Sequence, residues 1–190
     1  MLEVKSMSEY EDFGTVKLQK ANANSFSEFK VALQSSFRVA AEADLGHPLE
    51  EPIPSDEDIE RSVKGEGAVT YWIMVNDQRV GGAVVVIDET SNRNSLSFFF
   101  ISTDWQSRGL GLQAWKAIER EYPSTKTWET VTPYFEKRNI HFYVNRCGFK
   151  IVEFYNKFHP DPNQRGDQVH QGGEEDEMFR FIKVMEAENT

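Results

Sequence analysis

Residues 98–111 read FFFISTDWQSRGLG, and this stretch decides how the fold is interpreted. An apolar run of strand length ends at Ile101, and a short polar loop then leads through Gly109 and Gly111 into a segment with helical spacing. The N–H groups at a helix start have no intrahelical partner, and the helix dipole adds partial positive charge there. Because glycine lets an anion approach the backbone closely, the stretch predicts a phosphate site, with Arg108 as a nearby cation.

This glycine pattern differs from both common nucleotide-binding loops. No Gly-Lys-Ser/Thr follows Gly111, which excludes a P-loop. The third glycine of a dinucleotide fingerprint is missing, and the strands that precede the turn are predicted to be antiparallel. Alone, this is a weak signal, because a Gly-x-Gly at a strand–helix junction is often only a tight turn.

Upstream of this stretch, the sequence predicts one strand, two helices and three strands of an antiparallel meander. The first helix starts at Phe26 with apolar residues on one face and ends near Gly46, and Ser55 followed by Asp58 resembles a capping box for the second. The predicted strands are Thr15–Leu18, Val69–Val75, Val80–Ile87 with a bulge at residues 81–82, and Ser95–Ser102, and the second helix is Asp56–Val63.

Downstream, helices and strands alternate. The predicted elements are a helix over Gly109–Tyr122, a strand over Thr127–Thr132, a helix over Tyr134–Asn145, and strands over Phe149–Tyr155 and Met178–Met185. This order predicts a mixed α+β fold, with a central, mostly antiparallel sheet of six to seven strands and about four helices on both faces. We expect a single domain over residues 1–190, with a loose lead-in at 1–13 and a frayed tail at 186–190.

Composition excludes several classes of protein. The formal net charge of −10 disfavours binding to nucleic acid, whose phosphates the surface repels. No apolar run approaches the roughly 20 residues of a membrane span, and the polar N-terminus lacks a signal peptide, so we expect a cytoplasmic protein without a membrane partner. None of the four histidines has metal-ligand spacing, and Cys147 fits a buried structural thiol, so no metal is expected.

Two motifs resemble those of the GNAT family of acetyltransferases. Gln106-x-x-Gly109-x-Gly111 is similar to the family's acetyl-CoA motif, Arg/Gln-x-x-Gly-x-Gly/Ala. Residues 139–149, NIHFYVNRCGF, resemble the later motif, in which an Asn, a Tyr and a Gly-Phe follow the fifth strand. In the usual pattern the Tyr lies four residues before the glycine, whereas Tyr143 lies five before Gly148, so a helix end longer by one residue would restore the match.

The resemblance, which covers about residues 69–185, implies an acetyl-CoA site. It implies that backbone amides from Gln106 to Gly111 hold the pyrophosphate and that Ile101 offers its backbone to the pantetheine arm, with Ser102 beside it. It further implies that Asn139 bonds the pantetheine or adenylate side. The implied cofactor-binding residues are Ile101, Ser102, Gln106, Ser107, Arg108, Gly109, Leu110, Gly111 and Asn139.

The family's reaction, direct attack of an acceptor amine on the thioester, needs a base for the amine and an acid for the leaving thiolate. Tyr143, implied to lie near the sulfur, is the candidate acid, although it also fits a buried aromatic that only packs. Glu129 is the candidate base, on the strand expected to flank the acetyl group, and strand alternation gives it an even chance of facing the site. Glu42, Glu50 and Glu51 are alternatives that also fit solvated surface acids.

The acceptor is less determined than the cofactor. The loop over residues 156–176 is longer than an ordinary connection, and its acids Glu174, Glu175 and Asp176 would favour a cationic small-molecule amine. The same loop fits a solvated mobile segment or a contact in a possible homodimer. Two alternatives to a small-molecule N-acetyltransferase stay open, a non-catalytic acyl-CoA-binding module and a protein N-acetyltransferase.

Overall fold

The computed structural model describes residues 14–162 and 177–186. Most of the long loop, including Glu174, Glu175 and Asp176, falls outside these ranges, as do the predicted lead-in and residues 187–190 of the tail. The described strands are β1 (Lys17–Lys20), β2 (Ala68–Val75), β3 (Gln78–Val86), β4 (Arg93–Ile101), β5 (Thr127–Pro133), β6 (Lys150–Tyr155) and β7 (Met178–Val184). The helices are α1 (Phe26–Leu45), α2 (Asp56–Lys64), α3 (Leu110–Glu121) and α4 (Lys137–His141), and α4 continues as a π-helix over Phe142–Cys147.

The strands that the structure describes form one sheet in the order β1-β2-β3-β4-β5-β7-β6. Every neighbouring pair is antiparallel except β4 and β5, which run parallel. One apolar cluster lies between the sheet and α1 and α2, and others join the sheet to α3 and the π-helix. The predicted α+β fold, with a mostly antiparallel mixed sheet and helices on both faces, is confirmed.

Local sequence signals account for several element boundaries. Asn76 and Asp77 both adopt positive φ, 48° and 62°, in a two-residue turn that matches the twist of the β2–β3 hairpin. Ile73 pairs with Gly81 and Met74 with Arg79, so one extra residue of β3 forms a bulge directly before the predicted position. The Ser55 side chain accepts the Asp58 N–H at 3.1 Å, as the capping box predicts.

Close packing of α1 against the sheet depends on Gly82. A Cβ there would lie 2.4 Å from the ring of Phe29 and 2.7 Å from that of Phe100, so a side chain would push α1 off the sheet. Phe29 and Leu33 are fully buried under this close approach. The C-terminal half of α1 is thereby held over the end of β4, where it forms one wall of the site described below.

On the opposite face of the sheet, aromatic rings pack beneath α3. Trp115 of α3 packs edge-on against Trp128 of β5, with ring centroids 5.3 Å apart, and Phe149 lies 5.1 Å from Trp115. The ammonium of Lys183 on β7 is paired with Glu119 on α3. These contacts fix α3 across the sheet, so its N-terminus stands at the end of β4.

Several predicted boundaries differ from the structure by one to three residues. β1 starts at Lys17, two residues after the predicted start at Thr15. The helix predicted from Tyr134 starts at Lys137, because the Tyr134 N–H donates to the Glu177 carbonyl at 2.7 Å and extends the pairing of β5 with the chain before β7.

None of the helices in the described ranges is long and apolar enough to cross a membrane.

Candidate active site

The two parallel strands of the sheet separate soon after they meet. β4 and β5 pair only at Arg93–Thr127, Asn94–Trp128 and Ser95–Glu129, and the described chain has no further pair between them. At the point of divergence the Thr130 hydroxyl donates to the Leu96 carbonyl at 2.9 Å. A wedge-shaped gap therefore opens toward the C-terminal ends of both strands.

A cleft of 1640 Å³ lies at the open end of this gap. Its walls are the end of β4, the turn into α3, the segment formed by α4 and the π-helix, and the C-terminal half of α1. The sequence-predicted cofactor residues that line it are Ile101, Gln106, Ser107, Arg108, Gly109, Leu110, Gly111 and Asn139. Ser102 does not line it, and its N–H donates instead to the Val80 carbonyl at 2.8 Å.

The turn into α3 presents unpaired backbone donors to the cleft. Ser107 and Gly109 adopt positive φ, 63° and 73°, which reverses the chain at the helix start. The first hydrogen bond of α3 runs from the Gln113 N–H to the Gly109 carbonyl. The N–H groups of the three intervening residues, Leu110 to Leu112, therefore have no α-helical partner, and the helix dipole adds positive potential beside them.

Gln106 ties the turn to both neighbouring walls. Its Nε2 donates to the Ile101 carbonyl at 2.9 Å, and its Oε1 accepts from Nη1 of Arg138 at 2.5 Å. The Ser102 N–H donates to the Val80 carbonyl of β3. Because the backbone groups of successive residues point to opposite edges of a strand, the Ile101 carbonyl points away from β3 and into the gap. The Gln106 side chain thus links the end of β4 to α4 across the mouth of the gap.

The cleft is locally positive in an acidic protein. Arg108, Arg138 and Arg146 line it, and Glu136 is the one acidic side chain among its described lining residues. Arg108 lies over the Trp105 ring, 5.1 Å from its centroid. The arrangement favours an anionic ligand despite the net charge of −10.

The sequence did not single out Glu136, which is only 3% exposed although it lines the cleft. Asn139, one turn later, donates its side-chain amide to the Glu136 carboxylate. Sequence reasoning also missed Arg138, Phe142 and Arg146. Their i, i+4, i+8 spacing is the one signal that could have placed them on a common helix face.

The end of the second motif helix contains the additional residue that its spacing predicts. Residues 142–147 form a π-helix, in which hydrogen bonds span one more residue than in an α-helix. Gly148 ends it with φ 81°, and the Phe149 N–H donates to the Tyr143 carbonyl at 3.0 Å. The π-turn accommodates the five-residue spacing between Tyr143 and Gly148.

Tyr143 lies under the cleft wall and does not line the cleft. It is 5% exposed, with ring centroids 5.5 Å from Phe149 and 5.7 Å from Phe181. Burial, and secondarily the nearby Cys147 and Glu136, raise the pKa of Tyr143, against the opposing effect of a hydrogen bond with Thr130. The phenol therefore stays protonated at neutral pH. Its hydroxyl lies beside Thr130, where β4 and β5 diverge.

Glu129 alternates along β5 with the buried Trp128 and Thr130, so it points to the face of the sheet opposite α3. Its carboxylate is paired with Arg180 at 2.7 Å, and Arg180 also binds Glu153 at 2.6 Å. Glu129 is not a lining residue of the cleft.

The other acids considered from the sequence are also outside the cleft lining. Glu42 accepts the Leu49 N–H at 3.0 Å and so holds the chain that follows α1. Glu50 and Glu51 lie in that same connection between α1 and α2. Among the residues that the structure describes, no group of His, Cys, Asp and Glu is arranged to hold a metal ion.

We compared the chain with known families and proteins. The profile of the acetyltransferase (GNAT) family matches residues 33–149. The protein YrkN of Bacillus subtilis (strain 168) is 47% identical over 182 residues, which cover 92% of this chain and 96% of that protein.

Two solved structures share the fold. An acetyltransferase from Bacillus subtilis in complex with CoA has a TM-score of 0.61 at 17% identity, over 90% of this chain and 99% of that one. A GNAT family acetyltransferase from Elizabethkingia anophelis with acetyl-CoA bound has a TM-score of 0.64 at 15% identity, with the same coverage of 90% and 99%. The family match confirms the resemblance of the two motifs, and the chain belongs to the GNAT acetyltransferase family.

Proposed function

We propose that this protein transfers the acetyl group of acetyl-CoA to a primary amine by direct attack in a ternary complex. The observation that carries the proposal is the turn into α3, where the N–H groups of Leu110 to Leu112 have no α-helical partner and border a positive cleft at the open end of the β4–β5 gap. The CoA and acetyl-CoA found in the two structural neighbours support this choice of cofactor.

We assign the residues of the cleft to successive parts of acetyl-CoA. The N–H groups of Leu110, Gly111 and Leu112 would bind the pyrophosphate, with Arg108 and Arg138 completing its charge neutralisation. Gly111 leaves little room for a side chain, since a Cβ there would lie 3.3 Å from the Phe142 ring. A glycine at this position therefore lets the Phe142 ring pack directly against the start of α3.

The pantetheine arm would extend from the turn into the gap between β4 and β5. Its amides need polar partners there, and the Ile101 backbone and the Asn139 side chain are available on the two walls. Gln106 already occupies the Ile101 carbonyl. We therefore infer that the Gln106 side chain moves when the arm binds.

Acetyl transfer forms one C–N bond and breaks one C–S bond, removes two protons from the ammonium nitrogen and adds one proton to the sulfur. The amine nitrogen attacks the thioester carbonyl as a neutral amine, so a base must first remove its ammonium proton. The tetrahedral intermediate that forms then loses a second proton from its nitrogen. The sulfur leaves as a thiolate and takes a proton from an acid, and the second nitrogen proton balances the one that the acid has given up. The product is an amide together with CoA carrying a free thiol.

We propose Tyr143 as the acid, because its phenol is protonated at neutral pH and lies beside Thr130 at the base of the gap. To reach the sulfur, the phenol needs the adjoining Phe142 to shift from its present packing. We propose Glu129 as the base, acting directly or through water on the face of the sheet opposite α3. Its ion pair with Arg180 would have to loosen as it accepts the proton.

We propose a small cationic amine as the acceptor. The support is the net charge of −10, which raises the local concentration of cations at the protein surface. The loop acids that would bind such an amine lie outside the described residues.

The test is a thiol-release assay with acetyl-CoA and a panel of primary amines that includes polyamines, amino sugars and lysine analogues, together with neutral and anionic amines. We expect release of CoA thiol and mass-verified N-acetylation with cationic members. Tight binding of acetyl-CoA without release for any amine would overturn the transferase proposal and favour an acyl-CoA-binding module. Turnover only with anionic or apolar amines would overturn the acceptor class alone.

A further inference from the structure

Arg146 is a cation on the wall of the cleft whose side chain has no partner among the described residues. Its side chain is exposed, lines the cleft, and forms no hydrogen bond or ion pair with any residue in the described ranges. Because no described acid neutralises this guanidinium, its charge is available to an anionic ligand in the cleft.

The other two arginines of the cleft are already engaged near the turn. Arg138 donates to Gln106, and Arg108 lies over the Trp105 ring. Arg146 follows Arg138 by eight residues on the continuous segment formed by α4 and the π-helix, which at 1.5 Å per residue separates them by about 12 Å. The cleft thus has two separate cationic positions. Arg108 and Arg138 lie at the turn into α3, and Arg146 lies farther along the same wall.

We propose that Arg146 binds the 3′-phosphate of CoA and makes the protein selective for CoA over its 3′-dephospho form. This inference rests on the proposed function. CoA carries its phosphates in two places, a pyrophosphate and a ribose 3′-phosphomonoester, which matches the two cationic positions on the wall. A phosphomonoester has a charge of roughly −1.5 to −2 at neutral pH, and the planar guanidinium fork suits its oxygens.

The test is titration calorimetry of CoA and of 3′-dephospho-CoA with the wild type and the R146Q variant. We expect the wild type to bind CoA about tenfold more tightly than 3′-dephospho-CoA, the size of one charge-assisted contact. R146Q should lose this preference and bind 3′-dephospho-CoA as the wild type does. Because Arg146 is exposed and unpaired among described residues, the melting temperature should not change.

The matched control is R120Q, which removes the same charge from an exposed position in the last turn of α3 outside the cleft. R120Q should keep the wild-type preference for CoA. Equal affinity of the wild type for both ligands, or equal weakening of both by R146Q, would overturn this assignment and leave the proposed function standing. If the wild type binds neither ligand, the proposed function falls as well.

Discussion

The Phe142 ring stacks on that of Phe99, with centroids 5.7 Å apart and planes 12° from parallel. Phe99 lies on β4 and Phe142 in the π-helix, so this stack joins the two walls of the cleft. The Phe142 ring also covers Gly111 at the start of α3. One side chain therefore positions the π-helix against both the strand and the turn proposed to bind the cofactor.

Replacing Phe142 by Leu should weaken this junction. The loss of the stack and of partly buried ring surface should lower stability by about 1–2 kcal/mol and the melting temperature by roughly 2–8 °C. Affinity for acetyl-CoA should fall as well, because the wall opposite the turn loosens. The control is Phe158→Leu, which alters a ring that is 87% exposed. Equal melting temperatures for both variants and the wild type would contradict the positioning role of Phe142.

Tyr143→Phe separates the acid role from packing, because it removes only the hydroxyl. If Tyr143 protonates the leaving thiolate, kcat should fall by roughly 100-fold while KM for acetyl-CoA changes little. Stability should fall by only about 1 kcal/mol, the contribution of a hydrogen bond such as that with Thr130. An unchanged kcat would leave Tyr143 as a core aromatic.

Glu129 and Glu153 offer a matched pair for the base. Both carboxylates bind Arg180, at 2.7 Å and 2.6 Å, but only Glu129 is proposed to accept a proton from the amine. Glu129→Gln should lower kcat by at least about tenfold at pH 7 and reduce the rise of the rate with pH. Glu153→Gln should have little effect on kcat. Similar kinetics for the two variants would refute the role of Glu129.

Cys147 should resist thiol reagents in the native protein. It is 3% exposed, and burial raises the pKa of its thiol to about 12, so the reactive thiolate is scarce at pH 8. Labelling with a chromogenic disulfide should be about a hundredfold slower than in guanidinium chloride, and its rate should keep rising toward pH 10 without a plateau. Fast stoichiometric labelling of the folded protein would show that the thiol is accessible.

Local sequence signals predicted the turns and the glycine-bearing start of α3 because those features depend on a few neighbouring residues. Asn76 and Asp77 adopt the positive φ that their residue types tolerate, and Gly109 reverses the chain where glycine predicts it. The spacing of Tyr143 and Gly148 even anticipated the longer helix end. In each case the determining chemistry lies within a few residues of the feature.

The walls of the cleft could not be predicted in the same way. Arg138 and Arg146 face the cleft because Phe142 docks on Gly111 and Phe99, and that contact joins segments distant in sequence. The face chosen by Glu129 depends on the register of β5 with β4, which residue types alone leave open. Glu136 is 3% exposed, yet it is followed in sequence by Lys137 and Arg138, as a surface acid would be.

The most direct test of the central claim is calorimetric titration of acetyl-CoA into the wild type, Gly109→Glu and Gly111→Glu. A Cβ at Gly109 would meet no atom within 4 Å, so that carboxylate can be accommodated beside the turn with only the strain of a φ of 73°. Val31→Glu adds the same charge at a position of α1 that is 61% exposed and serves as control. We predict saturable binding to the wild type and Val31→Glu and none to the two glycine variants, each still folded by circular dichroism. Wild-type affinity in either glycine variant would contradict the claim that the amides of this turn bind the pyrophosphate.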